Sequence, residues 1–423
     1  MKYRKRLADA LLKERLESKG AVLVEGAKWC GKTTTAEQRA KSILYMQEPS
    51  KKLQNLQLAN LNPSLLLQGK TPRLIDEWQL APKLWDAIRF EVDKRNSFNQ
   101  FILTGSAVPP SHEEISHSGV GRITKLLMRP MTLLESGESS GTVSLKKLFD
   151  SDYEVASSNE SDLEKIAYLI CRGGWPKALD VSQKIALRQA IDYYDAIVES
   201  DISRVDEKNR NPERTKLLLK SYSRNIGTQI KFEEIRKDIL GNDIDSFGIE
   251  TLYDYLGALK KIFVIEDSPA WNPNLRSRTA IRTTDTRYFV DPSIATASLG
   301  LGPDDLINDL NTMGFLFENL CVRDLRVYAQ SIDGQVYHYR DKNNLECDAV
   351  IHLRNGKYGL VEIKLGGDML IEEGAKTFKA LEKKLDTIKM NEPSFKMILT
   401  AVGDYAFKRE DGICIVPITC LGV

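Results

Sequence analysis

The clearest chemical pattern in the sequence is GAKWCGKT, residues 26–33, in which two glycines frame a short loop that ends in a lysine and a threonine. Backbone N–H groups in such a loop converge on a polyphosphate. Lys32 is spaced to reach the β- and γ-phosphates, and the Thr33 hydroxyl to ligate Mg2+. The residues expected to contact nucleotide are Gly26, Ala27, Lys28, Trp29, Cys30, Gly31, Lys32, Thr33 and Thr34.

The flanks of this loop have the pattern that a phosphate site requires. Residues 21–24, AVLV, are continuously apolar, as in a buried parallel strand. Residues 33–40, TTTAEQRA, can open a helix, whose N-terminus carries partial positive charge. Strand, loop and helix together predict a site for ATP and Mg2+.

A second chemical pattern follows one βα unit later, in RLIDEWQ, residues 73–79. A short apolar strand ends there in two carboxylates. Asp76 is expected to hold Mg2+, and Glu77 to polarise the attacking water as a general base. The alternative is a strand end that points two acids at solvent, and the preceding phosphate loop favours the catalytic interpretation.

Further motifs follow these two: ILTGSA at 102–107, GRITKLLMRPMTLLE at 121–135 and CRGGWPKAL at 171–179. Together with the loop and the paired acids, they resemble a prokaryotic family of AAA-type P-loop ATPases. Members of that family end in a domain known as domain of unknown function 4143. The likeness runs over nearly the whole chain, and it implies ATP binding and hydrolysis without implying a biological role.

The resemblance suggests roles for two more positions. In AAA-type ATPases a polar residue at the end of the next core strand lies between the acids and the γ-phosphate, and Thr104 or Ser106 fits that position. Arg122 is a candidate for contact with a γ-phosphate, in its own site or in that of a neighbouring copy. A surface salt bridge is an equally good interpretation of Arg122.

The middle of the chain contains no comparable chemistry. Residues 136–162 are rich in Ser, Gly, Asp and Glu, which predicts a linker or insertion, and residues 163–200 have a helical pattern. Residues 211–285 predict three helices followed by a strand pair, as in a winged-helix domain. The third helix carries Glu250 and Asp254 rather than DNA-reading side chains, which favours a lever or packing module.

The C-terminal third contains a second candidate site. Asp348 lies on one predicted strand and Glu362 and Lys364 on the next, with Glu318 on a helix upstream. The arrangement resembles the PD-(D/E)xK nuclease fold, in which Glu318, Asp348 and Glu362 would hold Mg2+ or Mn2+. In that fold Lys364 would orient or deprotonate water. The alternative is a hairpin with an ordinary salt bridge, in a domain that does not cut nucleic acid.

Composition limits the remaining functions. The chain has 423 residues and a net charge of +1, so DNA or RNA could bind only at a local patch. Its six cysteines are scattered without metal spacing, which predicts reduced thiols in a cytoplasmic protein. No apolar run approaches the length of a membrane helix, and the first residues lack the pattern of a signal peptide.

The predicted fold class is α/β. It comprises an AAA-type P-loop NTPase domain with a parallel sheet at residues 1–140 and a linker and helical region at 141–210. A winged-helix-like domain at 211–285 and a PD-(D/E)xK nuclease-like α/β domain at 286–423 complete it. The predicted function is ATP hydrolysis coupled to the nuclease-like domain. The alternative is a regulatory or partner-remodelling ATPase whose nuclease-like domain is an interaction module, with an unidentified protein partner or a second copy of the chain.

Overall fold

The computed structural model describes residues 2–107, 119–150, 153–206, 208–241, 247–272, 284–385 and 391–423. They form two compact units. The first unit comprises Met1–Pro130, Glu199–Arg210 and Asp254–Val264. The second unit comprises Met131–Val198, Asn211–Tyr253 and Ile265–Val423.

The described helices and strands are numbered separately along the chain. The helices are α1 Leu7–Ser18, α2 Lys32–Glu37, α3 Lys52–Leu61, α4 Leu84–Arg95, α5 Leu133–Ser136, α6 Leu145–Leu148, α7 Leu163–Arg172, α8 Gln183–Ala196, α9 Ile202–Arg204, α10 Pro212–Arg224, α11 Phe232–Leu240, α12 Ile249–Lys261, α13 Pro292–Leu299, α14 Pro303–Asn308, α15 Leu310–Ser331 and α16 Asp368–Glu382. The strands are β1 Ala21–Glu25, β2 Ser42–Tyr45, β3 Arg73–Asp76, β4 Phe101–Gly105, β5 Ile123–Leu127, β6 Val143–Ser144, β7 Ala156–Ser158, β8 Gly334–Arg340, β9 Glu346–Leu353, β10 Tyr358–Lys364, β11 Phe395–Thr400, β12 Tyr405–Lys408, β13 Ile413–Pro417 and β14 Leu421–Gly422.

The first unit is built on a five-stranded sheet in the order β2-β3-β4-β1-β5. Every strand pair in it is parallel, so the carboxyl ends of all five strands meet at one edge. Strand β4 lies between β1, which leads into the glycine-bearing loop, and β3, which ends in the paired acids. This is the α/β architecture with a parallel sheet that the sequence predicts for a P-loop NTPase.

Apolar residues cover both faces of this sheet. Alternate residues of β1 point to opposite faces, and Val22 and Val24 pack with Leu12 and Leu16 of α1. On the other face Leu23 packs with Ile88 of α4 and its neighbours. The sequence therefore reads as continuous apolar runs, because both faces of a parallel sheet are buried.

The second unit contains a seven-stranded sheet in the order β7-β12-β13-β11-β10-β9-β8. Strands β8, β9 and β10 form an antiparallel meander, and β10, β11 and β13 then run parallel. Helix α15 precedes the meander, and α16 connects β10 to β11. The predicted hairpin is present, with Val361 opposite Ala349.

Part of the stretch expected as a linker belongs to the sheets of the second unit. Strand β6 pairs in parallel with β14, and β7 forms the edge of the seven-stranded sheet beside β12. The Ala-Ser-Ser sequence of β7 contains no buried residue, so its pairing depends on backbone hydrogen bonds. Such a strand lacks the apolar alternation by which a sequence identifies strands.

In the middle region α10, α11 and α12 follow one another in the predicted order. Antiparallel bridges then pair Ile265 with Phe289 and Ser268 with Thr286. Residues 242–246 and 273–283, which the winged-helix prediction includes, lie outside the described residues.

The Gly-Gly-Trp segment after α7 has a packing role in the second unit. A Cβ on Gly174 would lie 2.2 Å from the Met131 carbonyl oxygen. The Gly174 N–H donates to Asp291, which also accepts from Arg323 at 2.8 Å. The side chains of Asp291 and Arg323 are almost fully buried. The Gly-Gly-Trp motif therefore has a structural role in the packing of the second unit.

Candidate functional site

The loop between β1 and α2 has the conformation its glycines allow. Gly26 has a φ of 148°, and a Cβ there would lie 2.0 Å from the Met128 carbonyl oxygen. The Lys32 side chain is buried and folds back over the loop. Its Nζ donates to the carbonyl oxygens of Gly26 at 2.9 Å and Ala27 at 2.8 Å. The ammonium group therefore lies within the loop that the sequence assigns to phosphate.

Asp76 joins the loop to the neighbouring strands. Its Oδ1 accepts a hydrogen bond from the Thr33 hydroxyl at 2.6 Å and another from the Thr104 hydroxyl at 2.6 Å. The register of β3 against β4 sets Asp76 opposite Thr104. A carboxylate and a threonine hydroxyl side by side are hard oxygen donors of the kind that Mg2+ binds. The residues present therefore fit the predicted magnesium site.

Glu77 follows directly, with a φ of 56° that is uncommon for a residue other than glycine. Its Oε2 accepts from the Ser106 hydroxyl at 3.3 Å and from the Gln79 side-chain amide. The sequence left Thr104 and Ser106 as alternatives for one role. In the structure each contacts a different acid, Thr104 contacting Asp76 and Ser106 contacting Glu77.

Arg122 lies at the end of the sheet opposite the phosphate loop. This position corrects the prediction that Arg122 contacts a γ-phosphate in its own site. Its carbonyl oxygen accepts from the N–H of Ala21, the first residue of β1, and β1 runs parallel to β5. Arg122 therefore lies at the amino end of these strands, away from the phosphate loop. Its guanidinium pairs with Asp93 at 2.7 Å, the surface salt bridge given as the alternative. Contact with a phosphate of its own site is excluded in this arrangement, and a role in a neighbouring copy stays a prediction.

Two residues that contact the loop were missed from the sequence. Arg6 is buried and donates to the carbonyl oxygens of Cys30 and Arg129, both at 2.8 Å. Asp201 accepts from the ammonium of Lys28 at 2.5 Å. Arg6 stands among other basic residues, and Asp201 lies 173 positions after Lys28. No local spacing distinguishes either residue.

The second candidate site lies around a cavity of about 390 Å³ in the second unit. Lys364 lies 3.2 Å from Glu362 and 3.9 Å from Asp348. Asp348 also accepts from the N–H of Ile363 at 2.7 Å. Glu318 of α15 lines the same cavity. The structure therefore brings together the four residues that the sequence selected.

Burial dominates the electrostatics of this cluster. Burial raises the pKa of Glu318 and Glu362 well above the ordinary value, and the charge of Asp348 raises both further. Burial also raises the pKa of Asp348, against the effect of the Lys364 charge. Burial would lower the pKa of Lys364, but the charges of Asp348 and Glu362 outweigh it and the pKa rises.

The three acids do not assemble into the predicted metal site. Across the part of the chain that the structure describes, no group of three or more His, Cys, Asp or Glu residues has an arrangement that could hold a metal ion. Glu318 instead accepts a hydrogen bond from the Tyr288 hydroxyl, and Lys364 pairs with the other two acids. The predicted ligand set of Glu318, Asp348 and Glu362 is therefore not preformed among the described residues, and its binding of a metal ion stays a prediction.

Tyr288 and His338 are among the other side chains that line this cavity, and neither was selected from the sequence. The Nδ1 of His338 lies 2.9 Å from the Ser268 carbonyl oxygen, and burial lowers the pKa of the ring. Tyr288 precedes a buried apolar run and His338 lies within a predicted strand, so each had an ordinary packing interpretation.

All six cysteines are buried and none forms a disulfide, as predicted for reduced thiols. Among the described residues, none of the helices has both the length and the apolar character needed to cross a membrane.

Comparison with known families supports the family resemblance predicted for the N-terminal and C-terminal parts of the chain. Residues 18–136 match the model of an AAA domain, and residues 313–421 match the domain of unknown function DUF4143. The resemblance seen in the sequence is thereby confirmed: the chain combines a region similar to an AAA domain with a C-terminal region similar to DUF4143. Residues 163–305 match a further domain of unknown function, DUF8612.

Individual relatives are distant. Uncharacterised proteins of Mycobacterium tuberculosis and Mycobacterium bovis are each 23% identical over 369 residues, which is 86% of this chain and 74% of theirs. Among solved structures, a Walker-type ATPase of Pyrococcus abyssi aligns at 16% identity with a TM-score of 0.43. That alignment covers 69% of this chain and 94% of that one.

Replacing Arg6 with Met tests whether this residue supports the loop. Hydrogen bonds from a charged group contribute about 1.5–3 kcal/mol each. We therefore expect Arg6→Met to lower the thermal unfolding midpoint by several degrees and to weaken nucleotide binding. Scanning calorimetry and a fluorescent-nucleotide titration measure the two effects. The control is Lys5→Met, because Lys5 is exposed, and equal behaviour of the two variants would contradict the assigned role.

Proposed function

We propose that this protein binds ATP with Mg2+ and hydrolyses it. The observation that carries the proposal is the meeting of Thr33 and Thr104 on one oxygen of Asp76, beside the loop that encloses Lys32. The hydroxyl that would ligate magnesium, the acid that would accompany it and the candidate γ-phosphate sensor are thereby in contact. Each comes from a different element at the carboxyl edge of the sheet.

The residues have distinct roles in the proposed reaction. Lys32 exchanges the Gly26 and Ala27 carbonyl oxygens for phosphate oxygens when ATP enters the loop. Thr33 and Asp76 hold the metal ion, which when bound supplies positive charge that stabilises the charge developing on the phosphates. Glu77 accepts a proton from the attacking water. Ser106 and Gln79 fix the orientation of the Glu77 carboxylate through their hydrogen bonds.

We further propose that hydrolysis is coupled to the second unit. Residues 199–210 and 254–264 belong to the first unit and continue along the chain into residues of the second. The helices α10, α11 and α12 with the following bridges support a winged-helix-like region. Its acidic third helix favours a lever role over DNA reading: Asp254 binds Arg210 and Lys208.

The C-terminal domain supports a PD-(D/E)xK-like fold, with a helix, an antiparallel meander, a crossing helix and a parallel strand in order. Of its two predicted roles, the geometry favours an interaction module over a nuclease. The Glu318 carboxylate is held by Tyr288, and Lys364 is paired with both remaining acids. Nucleic acid and protein both remain candidate partners of such a module, and a cleavage assay separates the two roles.

Two substitutions separate binding from chemistry in the proposed ATPase. We expect Lys32→Ala to abolish nucleotide binding, since it removes the ammonium at the centre of the loop. Glu77→Gln should bind ATP with near-normal affinity and hydrolyse it about 10²–10⁴-fold more slowly, because the amide cannot accept the proton. Phosphate release and nucleotide titration measure the two quantities.

A matched control is Glu14→Gln, which makes the same exchange at an exposed position of α1 and should leave turnover unchanged. Full activity in Lys32→Ala would contradict the phosphate-loop assignment. Normal turnover in Glu77→Gln would contradict only the general-base role.

The C-terminal role is tested by incubating the full chain with single- and double-stranded DNA and RNA in Mg2+ or Mn2+, with and without ATP. An interaction module predicts no cleavage that depends on Asp348 or Lys364. Cleavage that is lost in both Asp348→Asn and Lys364→Met would overturn this interpretation and establish the nuclease. Cleavage that both variants retain would come from a contaminant.

A further inference from the structure

A buried carboxylate outside the catalytic strands binds a side chain of the phosphate loop. Asp201 accepts from the ammonium of Lys28 at 2.5 Å, and its side chain is 6% exposed while that of Lys28 is 41% exposed. Lys28 is the third residue of the loop that follows β1. Its backbone therefore belongs to the proposed phosphate site, while its ammonium pairs with an acid from a remote part of the chain.

Asp201 ends a π-helical turn, Ile197–Asp201, and α9 follows it. Single π-helical turns are rare and frequently occur at functional sites. The side chain of Arg210, 2% exposed, connects this segment to α12. It donates to the Ile202 carbonyl oxygen at 2.7 Å and pairs with Asp206 at 2.7 Å and with Asp254 of α12 at 2.8 Å.

These contacts form a continuous set within the first unit. They lead from the loop through Lys28 to Asp201, from the carbonyl oxygen of the adjacent Ile202 to Arg210, and from Arg210 to Asp254. Because Arg210 contacts both the segment that carries Asp201 and helix α12, displacement of the segment would alter the position of Asp254. Each ion pair of the set includes one almost fully buried side chain, Asp201 or Arg210, and a nearby charge can change such a contact.

A bound nucleotide introduces such a charge. Its phosphates carry several negative charges and would occupy the same loop as Lys28. Phosphate attracts the ammonium and repels the Asp201 carboxylate. Lys28, which pairs with Asp201 when no nucleotide is bound, would then pair with phosphate instead. The buried Asp201 carboxylate would lose its charged partner and keep only a hydrogen bond from the Ser200 hydroxyl at 3.4 Å among the contacts described, which is costly unless the segment moves toward solvent.

We propose that Lys28 is a nucleotide-dependent switch that exchanges Asp201 for phosphate. In this proposal Asp201 is a positioning residue: it restrains Lys28 in the nucleotide-free state, and its release loosens residues 199–210 and their contact with α12. The proposal rests on the proposed function, since it requires nucleotide in the loop. It adds the regulation by which binding at that loop reaches α12.

A double-mutant cycle on nucleotide affinity tests the exchange. We expect Asp201→Asn to tighten binding of a fluorescent ADP analogue by about fivefold, because Lys28 no longer has a competing partner. Lys28→Met should weaken binding about fivefold through loss of the phosphate contact. In the Lys28→Met background, Asp201→Asn should change nothing. The proposed switch of Lys28 from Asp201 to phosphate would be overturned if Asp201→Asn left the affinity unchanged. It would also be overturned if Asp201→Asn had the same effect in the wild-type and Lys28→Met backgrounds.

Hydrogen exchange distinguishes a switch from a static structural pair. In the wild-type chain, nucleotide should accelerate exchange in residues 199–206, and in Asp201→Asn exchange should be fast before nucleotide is added. The control is Lys208→Met, which removes an exposed lysine bound to Asp254 without touching the loop, and nucleotide affinity should be unchanged. A Lys208→Met affinity that shifts as far as that of Asp201→Asn would reduce the effect to general loosening and overturn the proposal.

The same titrations separate this proposal from the proposed function. If the wild-type chain fails to bind nucleotide, or Lys32→Ala binds equally well, the proposed function and the exchange both fail. If the wild-type chain binds nucleotide, Lys32→Ala does not, and the effects of Lys28→Met and Asp201→Asn are additive, then the proposed function holds. Only the proposed switch of Lys28 from Asp201 to phosphate fails in that case. Calorimetric unfolding midpoints of each variant check that Asp201→Asn is folded. Lys28→Met changes a partly exposed side chain and therefore tests the same contact from its other partner.

Discussion

The site depends on the pairing of β3 with β4 in register, which sets Asp76 beside Thr104. This register brings two side chains that are 28 residues apart into a 2.6 Å hydrogen bond. Strand β1 flanks β4 on the other side and delivers Thr33 to the same carboxylate oxygen. One parallel arrangement thus fixes three elements at a single atom, and a shift of one residue in β3 would turn Asp76 to the other face of the sheet.

The loop above this carboxylate is supported from outside its own βα unit. Arg6, ahead of α1, bonds the backbone of the loop, and Asp201 bonds one of its side chains. Loop backbones with few local hydrogen bonds need such partners, because an unpaired buried carbonyl is costly. The two supports differ in kind. The Arg6 contacts are buried and would persist with nucleotide bound, whereas the Asp201 contact engages a charge that phosphate would attract.

Sequence reasoning located the strands, the loop and the hairpin correctly where their defining residues are close together in the chain. The loop from Gly26 to Thr33, the strand ending at Asp76 and the hairpin carrying Asp348 and Glu362 each have their defining spacing within about 20 residues, as motif reasoning requires. For Arg122 the strand was foreseen, but its position at the amino ends of the strands, away from the phosphate loop of its own chain, follows only from the parallel pairing. Sequence reasoning also missed Asp201 and Tyr288, whose partners are remote in sequence and whose types have ordinary packing explanations. The polar edge strand β7 was missed for a third reason. A strand held by backbone hydrogen bonds alone has no alternation of apolar residues in its sequence.

The most direct test of the central claim is a crystal structure of the full chain with a non-hydrolysable ATP analogue and Mg2+. We expect metal bound by Thr33 and next to Asp76, and Lys32 moved from the Gly26 and Ala27 carbonyl oxygens to the phosphates. Phosphates bound elsewhere, or a Lys32 that still contacts both carbonyl oxygens beside a bound triphosphate, would contradict it.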